Sequence, residues 1–114
     1  MYTIFAVSTA PGKSGVAVIR VSGPRAQDAG LALCGDVPPM RQASVRVLHG
    51  ADGQSIDSAL VLTFAEDHSF TGEKTVEFQV HGSIAVVSAV KTELSHMDGL
   101  RPAEPGEFTR RALE

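Results

Sequence analysis

The sequence predicts an α+β fold: a mixed or antiparallel sheet with helices packed on one side. Three observations point there. Runs rich in β-branched residues outnumber helical stretches. Asp52-Gly53 lies between two such runs and signals a hairpin, so at least one strand pair is antiparallel. Residues 83–97 place apolar side chains at steps of three and four, as a helix does when it lays one stripe on a sheet.

The elements follow in chain order. Thr3–Ser8 reads as a strand, closed by Thr9-Ala10-Pro11-Gly12. Val16–Val21 is a second strand, closed by Ser22-Gly23-Pro24. Ser22 or Gly23 is placed to cap a helix with Pro24 in its first turn. Ala26, Ala29, Leu31 and Leu33 carry that helix to Gly35, a natural stop. Asp36–Pro39 is a loop. Ala43–His49 is a strand with Val45 and Val47 on one face and Arg46 and Leu48 on the other. Across the Asp-Gly turn, Ile56–Phe64 pairs back as the next strand. Glu66–Gly72 is a polar loop. Thr75–His81 is a strand with Val76, Phe78 and Val80 on one face and Thr75, Glu77 and Gln79 on the other. Ser83 is placed as the N-cap of a helix running to Met97. Its stripe is Ile84, Val87, Val90, Leu94 and Met97, each contributing roughly 1.5–3 kcal/mol when buried. Asp98-Gly99 ends it, Leu100–Gly106 reads as a linker, and Glu107–Glu114 begins another helix. That last helix has no glycine stop and ends on an acidic residue, which its dipole disfavours. The chain is therefore expected to be a fragment of something longer.

Its 114 residues suit one domain, 1–114, with a core that needs no disulfide or metal. Thirteen acidic against ten basic residues leave a formal charge of −3, and no basic block exceeds Arg110-Arg111. An electrostatic grip on nucleic acid is not expected from this domain alone. Cys34 is the single cysteine, which rules out a disulfide framework and a cysteine zinc site. A free thiol suits a reducing cytosol. No segment reads as a signal peptide or a membrane span.

Gly12-Lys13-Ser14 resembles the end of a phosphate-binding loop, but the first glycine of that motif would fall on Val7. The run that follows, Val16–Val21, is a strand and not the helix whose N-terminus would hold a phosphate. The one charged residue of that strand, Arg20, is the first site candidate. It suits either an ion pair with a carboxylate or a ligand contact through its planar guanidinium. Glu77, opposite the Val/Phe face of its strand, is the second. It reads either as a solvated carboxylate or as an acceptor for paired ligand donors. His49, His68, His81 and His96 show no metal-ligand spacing. His81 before Gly82 reads as shaping a strand-to-helix turn, and Cys34 as a small buried hydrophobe.

Five stretches carry a resemblance that spans the chain: Tyr2–Ile4, Pro11–Gly23, Ser69–Glu73 with Val76-Glu77, His81-Gly82, and Glu104–Ala112. Together they resemble the N-terminal domain of the tRNA-modification GTPase family MnmE, also called TrmE. Ser83, Lys74 and Leu113 depart from the family pattern, which usually has glycine, an acidic residue and phenylalanine there. The resemblance implies a fold like the folate-binding domains of glycine-cleavage T protein. It implies binding of 5-formyl-tetrahydrofolate or a related one-carbon folate, through Arg20 and Glu77, and homodimerisation. A further family contact, a lysine in an Asn-x-Lys stretch, would fall a few residues past Glu114. Full-length members also carry a helical domain and a GTP-binding domain that uses GTP, Mg2+ and K+. They act with the FAD protein MnmG (GidA) on wobble uridine of tRNA. None of the GTPase motifs occurs in this chain, so the fragment alone is not expected to be an enzyme. The alternative is a purely structural dimerisation module. A one-carbon transferase is disfavoured, because no catalytic acid or base stands out beyond Arg20 and Glu77.

Overall fold

A computed structural model describes residues 2–8, 15–65, 69 and 71–113. Its elements are β1 (Thr3–Val7), β2 (Val16–Ser22), α1 (Ala26–Cys34), β3 (Ser44–His49), β4 (Ser55–Phe64), β5 (Thr75–His81), α2 (Ile84–Ser95), β6 (Leu100–Pro102) and α3 (Glu107–Leu113). The strands form one six-stranded sheet in the order β3-β4-β5-β2-β1-β6. Every neighbouring pair is antiparallel except β1 and β6, which run parallel. The expected α+β class with a mixed sheet is what forms.

The period-two alternation of the strands divides the sheet into an inner and an outer face. Phe5, Ala17, Ile19, Val21, Ala59, Val61, Val76, Phe78 and Val80 point inward, where Ala26, Ala29 and Leu33 of α1 and Val87, Val90 and Leu94 of α2 cover them. This is the apolar core. The Asp52-Gly53 hairpin joins β3 to β4 as expected, with Gly53 at φ 83° and its N–H donating to the Gly50 carbonyl at 2.9 Å. Ser83 caps α2, its Oγ accepting the Val86 N–H at 3.1 Å. At φ −80° that position makes no demand for glycine.

Three local expectations are corrected. Residues 100–102 are not linker: they form β6, paired Thr3↔Leu100 to Phe5↔Pro102. The N-cap of α1 is Arg25, with no side-chain cap, and its N–H is accepted by Thr3 Oγ1 at 2.8 Å. Ser22 belongs to β2 and spends its hydroxyl elsewhere. On α2, Ile84 is 72% exposed, so the buried stripe starts at Val87.

Gly23 makes the turn from β2 into α1. It sits at φ 138°, and a Cβ there would lie 2.7 Å from the Thr3 Cα. Both the backbone conformation and the close approach of β1 require glycine. Gly53 has a comparable positive φ but open space around it. Gly23→Ala is expected to cost on the order of 2–3 kcal/mol in urea denaturation, and Gly53→Ala about 1 kcal/mol. Equal losses would refute the steric account of Gly23.

Candidate functional site

The outer face is apolar over much of its area yet not sealed by α1 or α2. Val16, Val45, Val47 and Leu60 are exposed there, Val45 to 64%. Near its middle lies one charged rung. Arg20 of β2 stands directly opposite Glu77 of β5 in the antiparallel register. Its Nε–H donates to Glu77 Oε2 at 2.8 Å, with the side chains 28% and 15% exposed. The rung continues to Ala6 on one side and Leu62 on the other. Two hollows lie to either side, and neither is lined by Arg20 or Glu77. One, about 360 Å3, lies between Ala6 and the turn Ala103–Phe108. The other, about 190 Å3, is lined by Val16, Val45, Leu60, Gln79 and His81. The structure thus brings the two predicted site residues together, as a half-buried ion pair with each other.

A second charged group joins α3 to the β6–β1–β2 side of the sheet. Arg101 of β6 clamps Glu107 with two bonds, Nη1 to Oε1 at 2.7 Å and Nη2 to Oε2 at 2.6 Å. Glu107 also accepts the Glu104 N–H at 3.0 Å and Arg111 Nη2 at 3.2 Å. Arg111 then reaches Glu73, Nη1 to Oε1 at 3.1 Å, and the Tyr2 carbonyl at 3.0 Å. Glu73 Oε1 takes the Ser22 hydroxyl at 3.0 Å, and Ser22 Oγ lies 2.5 Å from Thr71 Oγ1. Glu107 is 3% exposed, and such burial is tolerable only because its oxygens are fully partnered. The two-pronged hydrogen bonding from Arg101, opposed in part by burial, holds its carboxyl down at about 2.

Sequence reading missed this network. Arg101, Glu107 and Arg111 fall in stretches that read as linker and as the beginning of a helix, and Glu73 lies 38 residues from Arg111. The available signal was the Glu104–Ala112 stretch itself, which places three charged residues within one turn of a helix that carries few apolar ones.

The remaining candidates resolve simply. His81, at the end of β5, is tied to β4 instead of to the turn that follows it: Asp57 Oδ2 accepts its backbone N–H at 2.8 Å and Oδ1 meets Nδ1 at 2.7 Å. Among the described residues no group of histidine, cysteine and acidic side chains could hold a metal, and no helix is long and apolar enough to cross a membrane. Cys34 is half-buried, and burial, aided by the Asp36 charge, pushes its thiol up to about 11. It therefore carries little thiolate at neutral pH and is chemically quiet. Lys13, Ser14 and His68 lie outside the described residues.

Fold and site together define a single-sheet α+β domain with one face sealed by helices and the other presenting a charged rung on a half-exposed apolar surface. The sequence pattern of the family described as "GTP-binding protein TrmE N-terminus" matches residues 3–114, and the chain belongs to that family. It is 59% identical over its whole length to a "tRNA modification GTPase MnmE" of Dinoroseobacter shibae and covers 27% of that protein. Proteins of the same description from Phenylobacterium zucineum and Caulobacter vibrioides are 59% and 56% identical over 112 residues, 98% of this chain and 25% of each relative. The chain spans about a quarter of the length of the curated relatives it matches.

The Glu107 carboxyl fixes a pH dependence. Its folded value, about 2, lies below its ordinary 4.5. The stability it contributes is complete above pH 4.5 and is lost as pH falls toward 2. Glu107→Gln is expected to lower the melting temperature at pH 7 and to flatten the loss of stability across that acid window. Melting curves from pH 7 to pH 2 test this; a parallel acid limb in the variant would refute it.

Proposed function

We propose that this domain binds a one-carbon tetrahydrofolate, 5-formyl-tetrahydrofolate or a close relative, on the outer face of its sheet, and that it homodimerises through the same face. The observation that carries the reading is the Arg20–Glu77 rung. A pterin presents an N3–H beside a 2-amino group, two donors that one carboxylate accepts together. Glu77 supplies that carboxylate. Arg20 engages it through Oε2, so a ligand enters by displacing or sharing that bond while the guanidinium turns to the ligand's carbonyl. Apolar side chains on the same face, Ala6 and Leu62, stand directly beside the rung and would flank a ring system seated on it. Family membership supports the same reading. So does the surface around the rung, where exposed Val45, Val47 and Leu60 would be covered by a second copy.

In the whole protein, this domain serves a GTPase that modifies wobble uridine of tRNA, together with the FAD protein MnmG. The folate held here supplies the one-carbon unit. The GTP, Mg2+ and K+ of that reaction belong to other domains. The tRNA modification GTPases to which the chain is similar support the tRNA-modification role.

Glu77→Gln separates ligand binding from structure. The glutamine keeps the size and one acceptor but turns the other into a donor facing the pterin's donors. Its affinity for 5-formyl-tetrahydrofolate, measured by calorimetry, is expected to fall ten- to a hundredfold, about 1.5–3 kcal/mol. The melting temperature without ligand is expected to fall less. Unchanged affinity with a large fall in melting temperature would make Glu77 a purely structural carboxylate. For the dimer, sedimentation at micromolar concentration is expected to show a species of twice the 12.0 kDa chain mass. A monomer alone at high concentration would overturn that part of the reading.

A further inference from the structure

We infer that Ala6 is a specificity-determining residue: it joins the Arg20–Glu77 rung to a hollow that takes the second, aminobenzoyl ring of the folate. The inference rests on the ligand reading above and adds where the rest of that ligand goes.

The rung is continuous across four strands. Leu62 pairs with Glu77, Glu77 with Arg20 and Arg20 with Ala6, so the four side chains share the outer face. Neighbouring strands lie about 4.8 Å apart, which puts Ala6 roughly 10 Å from Glu77. The next rung on one side, Ile4–Ser22–Thr75, is buried throughout. On the other side the face opens: Leu60 is 40% exposed and Val16 48%. The Arg20–Glu77 rung is therefore the first accessible one beside a closed end of the sheet.

Ala6 belongs to both parts. It is the rung partner of Arg20, and it lines the hollow of about 360 Å3 together with Ala103, Pro105, Gly106 and Phe108. Along the row the side chains step down from glutamate and arginine to a single methyl at the edge of that hollow. The size of residue 6 thus sets how far a ligand on the rung extends into it. The far wall is fixed: the Ala103 N–H donates to the Phe5 carbonyl at 2.9 Å, and Glu107 is clamped by Arg101. An apolar cavity of about 150 Å3 already holds benzene, so a substituted phenyl ring fits with room to spare. Phe108 gives that ring an aromatic neighbour. Glu104, exposed in the same lining, opposes an anionic group. The uncharged ring is the part of the folate arm that suits the hollow, and the terminal glutamate is left to solvent.

The test uses the 114-residue chain and two probes. One is 5-formyl-tetrahydrofolate. The other is 6-methyltetrahydropterin, which has the pterin ring without the aminobenzoyl arm. In calorimetry, Ala6→Leu is expected to weaken the folate about tenfold and Ala6→Val about threefold, with the pterin changed by less than about twofold in each. Hydrogen exchange over residues 103–109 of the wild type is expected to slow about threefold or more with the folate and to stay unchanged with the pterin. Equal weakening of both probes, or of neither, would overturn the role of Ala6 and leave the ligand reading in place. So would folate binding without protection of residues 103–109. Failure of the wild type to bind the folate at all would overturn the ligand reading, and this inference with it. Should Ala6→Leu not fold, or the pterin bind too weakly for calorimetry, Ala6→Val with the folate and the exchange measurement still decide the matter.

Discussion

The register of β2 against β5 is the constraint on which the rest of this domain depends. Seven consecutive pairs, from Val16↔His81 to Ser22↔Thr75, assign every side chain of the two central strands to a face. Ala17, Ile19, Val21, Val76, Phe78 and Val80 reach the core as a consequence, and Arg20, Glu77 and Ser22 reach the outer face. A slip of one residue would send the charges under the helices and the core residues into water. The apolar side chains hold the register, and the register in turn brings Arg20 to Glu77. The candidate site is thus a by-product of core packing on the opposite face, which is why two residues 57 apart in sequence meet at 2.8 Å.

The second organising feature is a buried acid. Glu107 gives α3 the anchor that its few apolar residues cannot supply. A buried carboxylate is costly to isolate, so α3 is committed to the position in which Arg101 and Arg111 both reach it. The attachment is directional, unlike a greasy contact, and fixes the helix against β6, Tyr2 and Glu73 together.

Much of the fold was legible in the sequence, because alternation and capping are local signals. Five of the six strands, the Asp-Gly hairpin, the Ser83 cap and the Gly35 stop follow from spacing alone. β6 was not legible. It has three residues, ends in proline, and forms only because β1 offers it a parallel partner nearly a hundred residues away. Ser22 misled for a related reason: a serine before Gly-Pro looks like a helix cap, but Glu73 and Thr71 claim its hydroxyl. The site was half legible. Arg20 and Glu77 stand out as charges on strands, whereas their mutual pairing depends on strand order, which no local pattern encodes. Glu73 and Arg111 stayed hidden because charges in loops and helices read as solvated until the fold closes over them.

The two borders of the sheet differ from its face in a way that bears on colloidal behaviour. On one side, β6 offers three residues and closes with Pro102, which has no N–H to donate. On the other, β3 carries a bulge at Leu48/His49, and its inward-pointing Arg46 is tied to Asp36 at 2.9 Å. Shortness, proline, a kink and an inward charge are devices that stop a sheet from recruiting another strand. With both rims blunted, a chain of copies joined strand to strand has poor footing at either border of the sheet, whatever the outer face does.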